Sequence, residues 1–311
     1  MIRIGTRDSR LAVWQAELVQ TQLESHGFGA ELVFIKSEGD IDLTTPLYAM
    51  GVQGVFTRSL DAALLNNRID VAVHSMKDVP TQLPQGISQA AVLPRGPVND
   101  LVVFKNEETE ALYRYLDINK NKHEFTVATS SIRRKAQWLN RYANHELVNL
   151  RGNVITRLKK LQAEPWHAAI FAQAGLERIH VRPATSEVLE WMLPAPAQGA
   201  IMIAARTNDE ATLKACEKLN DLNTDVCTRI ERDFLKALLG GCSTPVSAFA
   251  HVKNERIYFE GNILSLDGKH KASVNFDFAL AEYETAGNKA AFALLANGGR
   301  AIADSIQYGK K

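Results

Sequence analysis

Residues 125–163 read FTVATSSIRRKAQWLNRYANHELVNLRGNVITRLKKLQA. The short apolar run Phe125–Ala128 has the look of a strand, and Ser131–Tyr142 that of a helix. The pattern then repeats, with a strand over Leu147–Leu150 and a helix over Asn153–Ala163. Ala168–Phe171 supplies the next strand. Such alternation predicts βαβ units, and so a lobe built on a mixed α/β sheet.

The same alternation extends toward the N-terminus. Strands are predicted at Ile2–Gly5, Glu31–Lys36, Asp70–His74 and Leu101–Phe104. A helix from Ser9 to about Ser25 carries Leu11, Trp14, Leu18 and Leu23, and a second over Phe56–Asn66 carries Phe56, Leu60, Ala63 and Leu64. Between them lies a polar, irregular stretch from Ser37 to about Gln53, and Pro80 ends regular structure after Asp70–His74. Toward the C-terminus, Ala200–Ala205 reads as a strand returning to the first lobe. Then the character changes: a long helix over Asp225–Leu239, strands at Val246–Val252, Ile257–Leu264 and Ala272–Phe278, and a final helix near Tyr283–Leu295. The expected architecture is α/β in three domains: residues 1–94 with 199–220, residues 98–194, and a small α+β domain with an antiparallel sheet at 222–311. Pro94–Pro97 and Pro194–Pro196 are the expected hinges.

Composition narrows the function. The chain has 311 residues, 46% hydrophobic and 23% charged, which is ordinary for a globular protein. Thirty-six Lys+Arg against 35 Asp+Glu leave a net charge of +1, which argues against nucleic-acid or polybasic membrane partners. Three cysteines with no C-x-x-C or Cys/His cluster argue against a disulfide framework and a metal site. With no apolar signal core and no membrane-length apolar run, the expected compartment is the cytoplasm.

Net charge conceals local sign. Three junctions share one design, a strand followed by small or polar residues with arginine and then a helix: Gly5–Arg10, Ala128–Arg134 and Leu150–Arg157. A helix start offers unpaired N–H groups and the positive end of the dipole. Ser9, Ser131 and Asn153 are placed to be caps or anion ligands, and arginine adds a fork for carboxylate or phosphate. Three such junctions facing one crevice would suit a small polyanion, since strand carboxyl ends line the crevice in open α/β sheets. Lys77-Asp78, at the end of a strand, is either a surface pair or a site where a carboxylate handles a proton or steadies a cation. Cys242 follows Gly240-Gly241 on a loop where its sulfur can be approached, whereas Cys216 and Cys227 sit on helices and read as packing.

Six segments, in order, carry a resemblance. They are Ile4–Ser9, Ala72–Pro80 (with His74-Ser75-Met76-Lys77-Asp78-Val79-Pro80), Thr129–Arg134, Leu150–Asn153, Pro196–Ala200 and Gly241-Cys242. Together they resemble the porphobilinogen deaminase (hydroxymethylbilane synthase) family over nearly the whole chain. The resemblance implies two lobes like periplasmic binding proteins plus a third domain, and a monomer. It implies a transferase that joins four porphobilinogen molecules, releasing ammonia each time, and frees hydroxymethylbilane with water. The chain would grow on a dipyrromethane cofactor held by a thioether to Cys242. Asp78 would be catalytic, and also a cofactor ligand with Lys77, Ser131, Arg133, Arg134, Ser9, Thr129 and Ser130. Arg7, Arg151, Arg157, Phe56, Gln198 and Asp40 would face the substrate or the elongating chain.

One departure stands out. The family's mobile loop usually carries two lysines before the equivalent of Phe56, but here those positions are Ala49 and Gln53. The resemblance therefore implies a weaker electrostatic grip by this lid, and a slower or less salt-sensitive elongation. The rival readings are a solute-binding protein and a non-catalytic binder of a polycarboxylate or tetrapyrrole. Neither needs both Asp78 and Cys242.

Overall fold

The computed structural model describes residues 1–36, 57–119, 125–238 and 244–308. In chain order the first elements are β1 (Ile2–Thr6), α1 (Arg10–Ser25), β2 (Ala30–Phe34), α2 (Arg58–Leu65), β3 (Val71–Ser75), β4 (Ile87–Val92), β5 (Asp100–Phe104) and α3 (Glu107–Asn119). There follow β6 (Thr126–Ala128), α4 (Ile132–Arg141), β7 (Glu146–Val148), α5 (Val154–Ala163), β8 (Ala168–Ala172), α6 (Gln173–Glu177), β9 (Ser186–Val188), β10 (Ile201–Arg206) and α7 (Glu210–Glu217). The last are α8 (Leu222–Leu238), β11 (Val246–Lys253), β12 (Arg256–Leu264), β13 (Lys271–Ala279), α9 (Tyr283–Leu294) and α10 (Arg300–Tyr308).

Two five-stranded sheets have one plan. The first has the order β2-β1-β3-β10-β4 and the second β7-β6-β8-β5-β9. In the first, β1 is parallel to β2 and β3, while β10 runs antiparallel to β3 and β4. In the second, β6 is parallel to β7 and β8, while β5 runs antiparallel to β8 and β9. The inner strands β3, β5, β8 and β10 are buried on both faces and correspondingly apolar, as Leu101–Phe104 and Ile201–Ala205 are.

Each lobe thus contains one strand that enters antiparallel from the linker side. The two linkers run together: Leu93 N–H donates to the Ile201 carbonyl at 3.0 Å and Gly96 N–H to the Gly199 carbonyl at 3.1 Å. Gly199 adopts φ +86°, and a Cβ there would lie 2.6 Å from the Gly96 carbonyl oxygen. Only glycine fits that approach.

The third sheet is antiparallel, β11-β12-β13, and packs on α8, α9 and α10. Phe234 and Phe259 meet edge to face at 5.0 Å in its core. This unit touches both lobes. From the second lobe, Gln137 Nε2 donates to Ser247 Oγ at 3.0 Å and Asn140 Nδ2 to the Gly268 carbonyl at 2.7 Å. At the linkers, Arg95 forms a two-pronged ion pair with the fully buried Glu231 of α8, at 2.6 and 2.9 Å.

The structure extends the sequence reading in several places. The α8 helix begins at Leu222 rather than Asp225, because Asp221 caps it by accepting from Thr224 N–H at 2.8 Å. The chain does not end at the α9 helix. Gly298, at φ +91°, breaks the axis and α10 follows. Strands β4 and β9 and helices α3, α6 and α7 also add to the predicted set. Among the described residues no helix is long and apolar enough to cross a membrane.

Candidate active site

The β3 strand ends at Ser75, and the chain turns through a short 3-10 helix, Met76–Asp78, before Pro80. Met76 N–H donates to the Ala200 carbonyl at 3.0 Å, and its side chain is fully buried. That anchor leaves Lys77 and Asp78 half-buried at the strand's carboxyl end. Asp78 makes no hydrogen bond or ion pair with any described residue, but its charge pulls upward on the pKa of both Lys77 and Arg157. Lys77 Nζ lies 3.4 Å from Gln198 Oε1. Burial pulls its ammonium down to about 8, against the upward pull of Asp78; Arg134 and Arg133 add to the lowering.

Gln198 carries the contact across the linkers. Its Nε2 donates to the Val98 carbonyl at 2.7 Å and to Asp100 Oδ1 at 3.0 Å. Asp100 is fully buried between two arginines, with Arg133 Nη2 at 2.6 Å and Arg134 Nη2 at 2.7 Å. Burial opposes ionisation of Asp100, yet Arg133 and Arg134 outweigh it and hold the carboxyl well below its usual range. Arg133 also donates to the Leu193 carbonyl at 2.7 Å and Arg134 to the Ile170 carbonyl at 3.0 Å. Both guanidinium groups are therefore turned inward, onto a carboxylate and the backbone. One carboxylate against two cations leaves this buried cluster net positive.

The three junctions are built as capped helix starts. Ser9 accepts from Ala12 N–H at 3.3 Å, Ser131 from Arg134 N–H at 3.4 Å and Asn153 from Thr156 N–H at 3.0 Å. Thr129 Oγ1 accepts from Ser131 N–H at 3.2 Å. Ser130 Oγ donates to the Leu150 carbonyl and accepts from Leu150 N–H at 3.0 Å. These hydroxyls thus brace the β6–α4 and β7–α5 turns against each other. Arg157 Nε donates to the Gly152 carbonyl at 2.7 Å, and burial lowers its pKa to about 10. Arg151, also buried, acts on Arg157. Arg7 acts on the buried His74, whose pKa burial pulls down to about 4 with Arg7 adding to the fall.

The structure therefore gathers Lys77, Asp78, Gln198, Arg133, Arg134, Arg151 and Arg157 about the linker cleft, with Arg7 near the β3 end. Asp40, Phe56 and Cys242, like Ala49 and Gln53, lie outside the described residues. Two residues absent from the sequence reading matter here. Asp100 had one visible signal, an acid opening the otherwise apolar run Leu101–Phe104. Arg232 had none. From α8 it donates to the Val79 carbonyl at 3.0 Å and the Pro80 carbonyl at 2.6 Å, beside Asp78.

Paired mixed α/β lobes, joined by two linkers that run together, and a cleft where Lys77, Arg151 and Arg157 gather near Asp78 define a two-lobed α/β protein with a cationic cleft. The family profile described as "Porphobilinogen deaminase, dipyromethane cofactor binding domain" matches residues 2–214, and "Porphobilinogen deaminase, C-terminal domain" matches residues 226–296. The porphobilinogen deaminase of Chlorobium phaeobacteroides is 38% identical over 270 residues, 86% of this chain and 84% of that one. That of Syntrophotalea carbinolica is 38% identical over 301 residues, covering 96% and 93%. The chloroplastic enzyme of Oryza sativa is 38% identical over 323 residues, covering 99% and 87%. Among solved structures, the Methionine Binding Protein MetQ aligns at 14% identity and a TM-score of 0.43, over 70% of this chain and 89% of that one. The chain belongs to the porphobilinogen deaminase family.

Proposed function

We propose that this chain is a transferase that joins four porphobilinogen units head to tail, loses ammonia at each step, and releases hydroxymethylbilane by hydrolysis. The observation that carries the reading is Asp78. It is a half-buried carboxylate with no hydrogen bond or ion pair to any described residue, near enough to act on both Lys77 and Arg157.

The donor set fits a group bearing several carboxylates. Among the described residues Lys77 and Arg157 lie near Asp78, and Arg133 and Arg134 share the single carboxylate of Asp100. Lys77, Asp78, Ser131, Arg133 and Arg134, with Ser9, Thr129 and Ser130, would hold a dipyrromethane attached at Cys242. When bound, that group supplies a free pyrrole α-carbon as nucleophile for the first condensation.

Arg7, Arg151, Arg157 and Gln198 receive the acetate and propionate arms of the incoming substrate, and Asp40 and Phe56 face the substrate or the elongating chain elsewhere. Asp78 accepts hydrogen bonds from pyrrole N–H groups at its carboxylate oxygens. As the substrate's aminomethyl group leaves as ammonia, Asp78 offsets the positive charge that remains. The same carboxylate would take the proton that the nucleophilic pyrrole α-carbon loses once its new C–C bond has formed. Low dielectric in the half-buried cleft strengthens both effects.

The mass of the intact protein tests the reading. An adduct the size of two linked pyrroles, lost in Cys242→Ser, is expected. An unmodified chain that fails to consume porphobilinogen would sink it. Asp78→Ala should keep the circular dichroism of the parent while turnover falls by about 100-fold or more. We further infer a monomer in the cytoplasm with three domains (1–94 with 199–220, 98–194, and 222–311), and sedimentation at more than one chain's mass would count against it. Gln53→Lys should raise the salt sensitivity of elongation, and an unchanged profile would remove the lid from that role.

A further inference from the structure

Asp78 has no side-chain tether among the described residues, so its position is set by the backbone that carries it. That backbone is short of internal support. A 3-10 turn of three residues leaves most of its carbonyls without partners, and Pro80 contributes no N–H. Within the turn, Val79 N–H donates to the Met76 carbonyl at 3.1 Å.

The remaining support comes from another domain. Arg232 projects from α8 and spreads its guanidinium over the turn. Nη1 donates to the Val79 carbonyl at 3.0 Å, with the Met76 carbonyl at 3.5 Å, and Nη2 donates to the Pro80 carbonyl at 2.6 Å. Three carbonyls that flank Asp78 on both sides thus converge on one rigid, planar donor. A planar fork can serve several acceptors at fixed angles, which a lysine ammonium on a flexible stem does poorly. The neighbouring Glu231 fixes α8 itself. It is fully buried, pairs with Arg95, and accepts from Ala197 N–H at 2.6 Å and Ala250 N–H at 2.7 Å. The Arg232 head is therefore held from a helix locked against the linkers.

We propose that Arg232 is a positioning residue for Asp78: through the carbonyls of Met76, Val79 and Pro80 it fixes where the carboxylate meets the substrate. This rests on the reading of Asp78 given above. A displacement of about 1 Å at a reacting group costs roughly 100-fold in rate, so the effect belongs to kcat.

The test is a double-mutant cycle on the purified holoenzyme, its covalent adduct verified by mass. Arg232→Met should lower kcat about 10- to 100-fold and leave KM for porphobilinogen within about twofold, with Arg232→Lys intermediate. In an Asp78→Asn background the same Arg232→Met change should lower the residual kcat no further, since the group it positions is gone. An equal loss in both backgrounds, or an unchanged kcat in the single variant, overturns the proposal. Should Arg232→Met not fold, the same cycle is run with Arg232→Lys and the same two outcomes decide. Asp78→Asn alone with a parental rate would instead overturn the role of Asp78.

Discussion

Lys77 carries its charge close to the limit of what its surroundings allow. Burial brings its pKa to about 8, with Arg134 and Arg133 adding to the lowering and Asp78 and Asp100 opposing it. The ammonium is present below that pH and lost above it. Binding of a free dipyrromethane to cofactor-free protein should therefore weaken as pH rises through about 8. Lys77→Arg, which stays charged, should flatten that step in a calorimetric titration from pH 7 to 9. An unaltered pH profile would assign the step to another group. Asp100 works at the same scale from inside the protein. Asp100→Asn leaves Arg133 and Arg134 as buried like charges, and should cost about 3–5 kcal/mol in urea unfolding. A loss under 1 kcal/mol would mean that water or backbone already screens the pair. The strand end and the proline that bracket Lys77 and Asp78 were legible in the sequence. Their place in a site came from the resemblance, since local pattern alone equally allowed a surface pair. Asp100 and Arg232 were not legible, since each acquires its partners from segments 33 and more than 150 residues away.

At the scale of elements, Ser9, Ser131 and Asn153 were readable because capping is local chemistry, decided within a single turn. Strands β4 and β9 were harder. The β4 strand shows no alternation, since the adjacent Ser88 and Gln89 interrupt its apolar residues, and β9 has only three residues. Both are defined by the neighbour they pair with rather than by their own pattern. The linkers give a sharper case. Gly199→Ala would place a methyl group 2.6 Å from the Gly96 carbonyl oxygen and 2.8 Å from that of Pro97, at a φ that alanine resists. We expect a loss of about 2 kcal/mol or more in thermal or urea unfolding, and a parental midpoint would show that the linkers separate freely. Gly268, at φ +74°, plays the same part where the β12–β13 turn meets α4: a Cβ there would sit 2.6 Å from the Ala136 carbonyl oxygen.

For the whole molecule, two buried histidines give stability a pH dependence. Burial brings His74 to about 4, with Arg7 adding to it, and brings His145 to about 4, with His167 adding to it. In the unfolded chain both take up protons near 6.5, while in the folded protein they stay neutral until about 4. Their contribution is complete above 6.5 and falls away as pH drops toward 4. The urea midpoint should therefore be lower at pH 5 than at pH 7, and His145→Gln should reduce that difference. Equal midpoints would mean that neither ring is held neutral by the fold.

The late return of β10 to the first sheet also bears on the order in which the two sheets can close during synthesis. Among the described residues strand β4 pairs only with β10, and β10 is separated from it by the entire second lobe. A nascent chain that has just completed β9 can close the second sheet, because all five of its strands lie between residues 100 and 188. The first sheet waits with an exposed edge on β3 and an unpartnered β4 until residue 206 emerges. The later-encoded lobe is thus the one able to fold first, and synthesis of the earlier one finishes by threading a single strand into a gap left open for it.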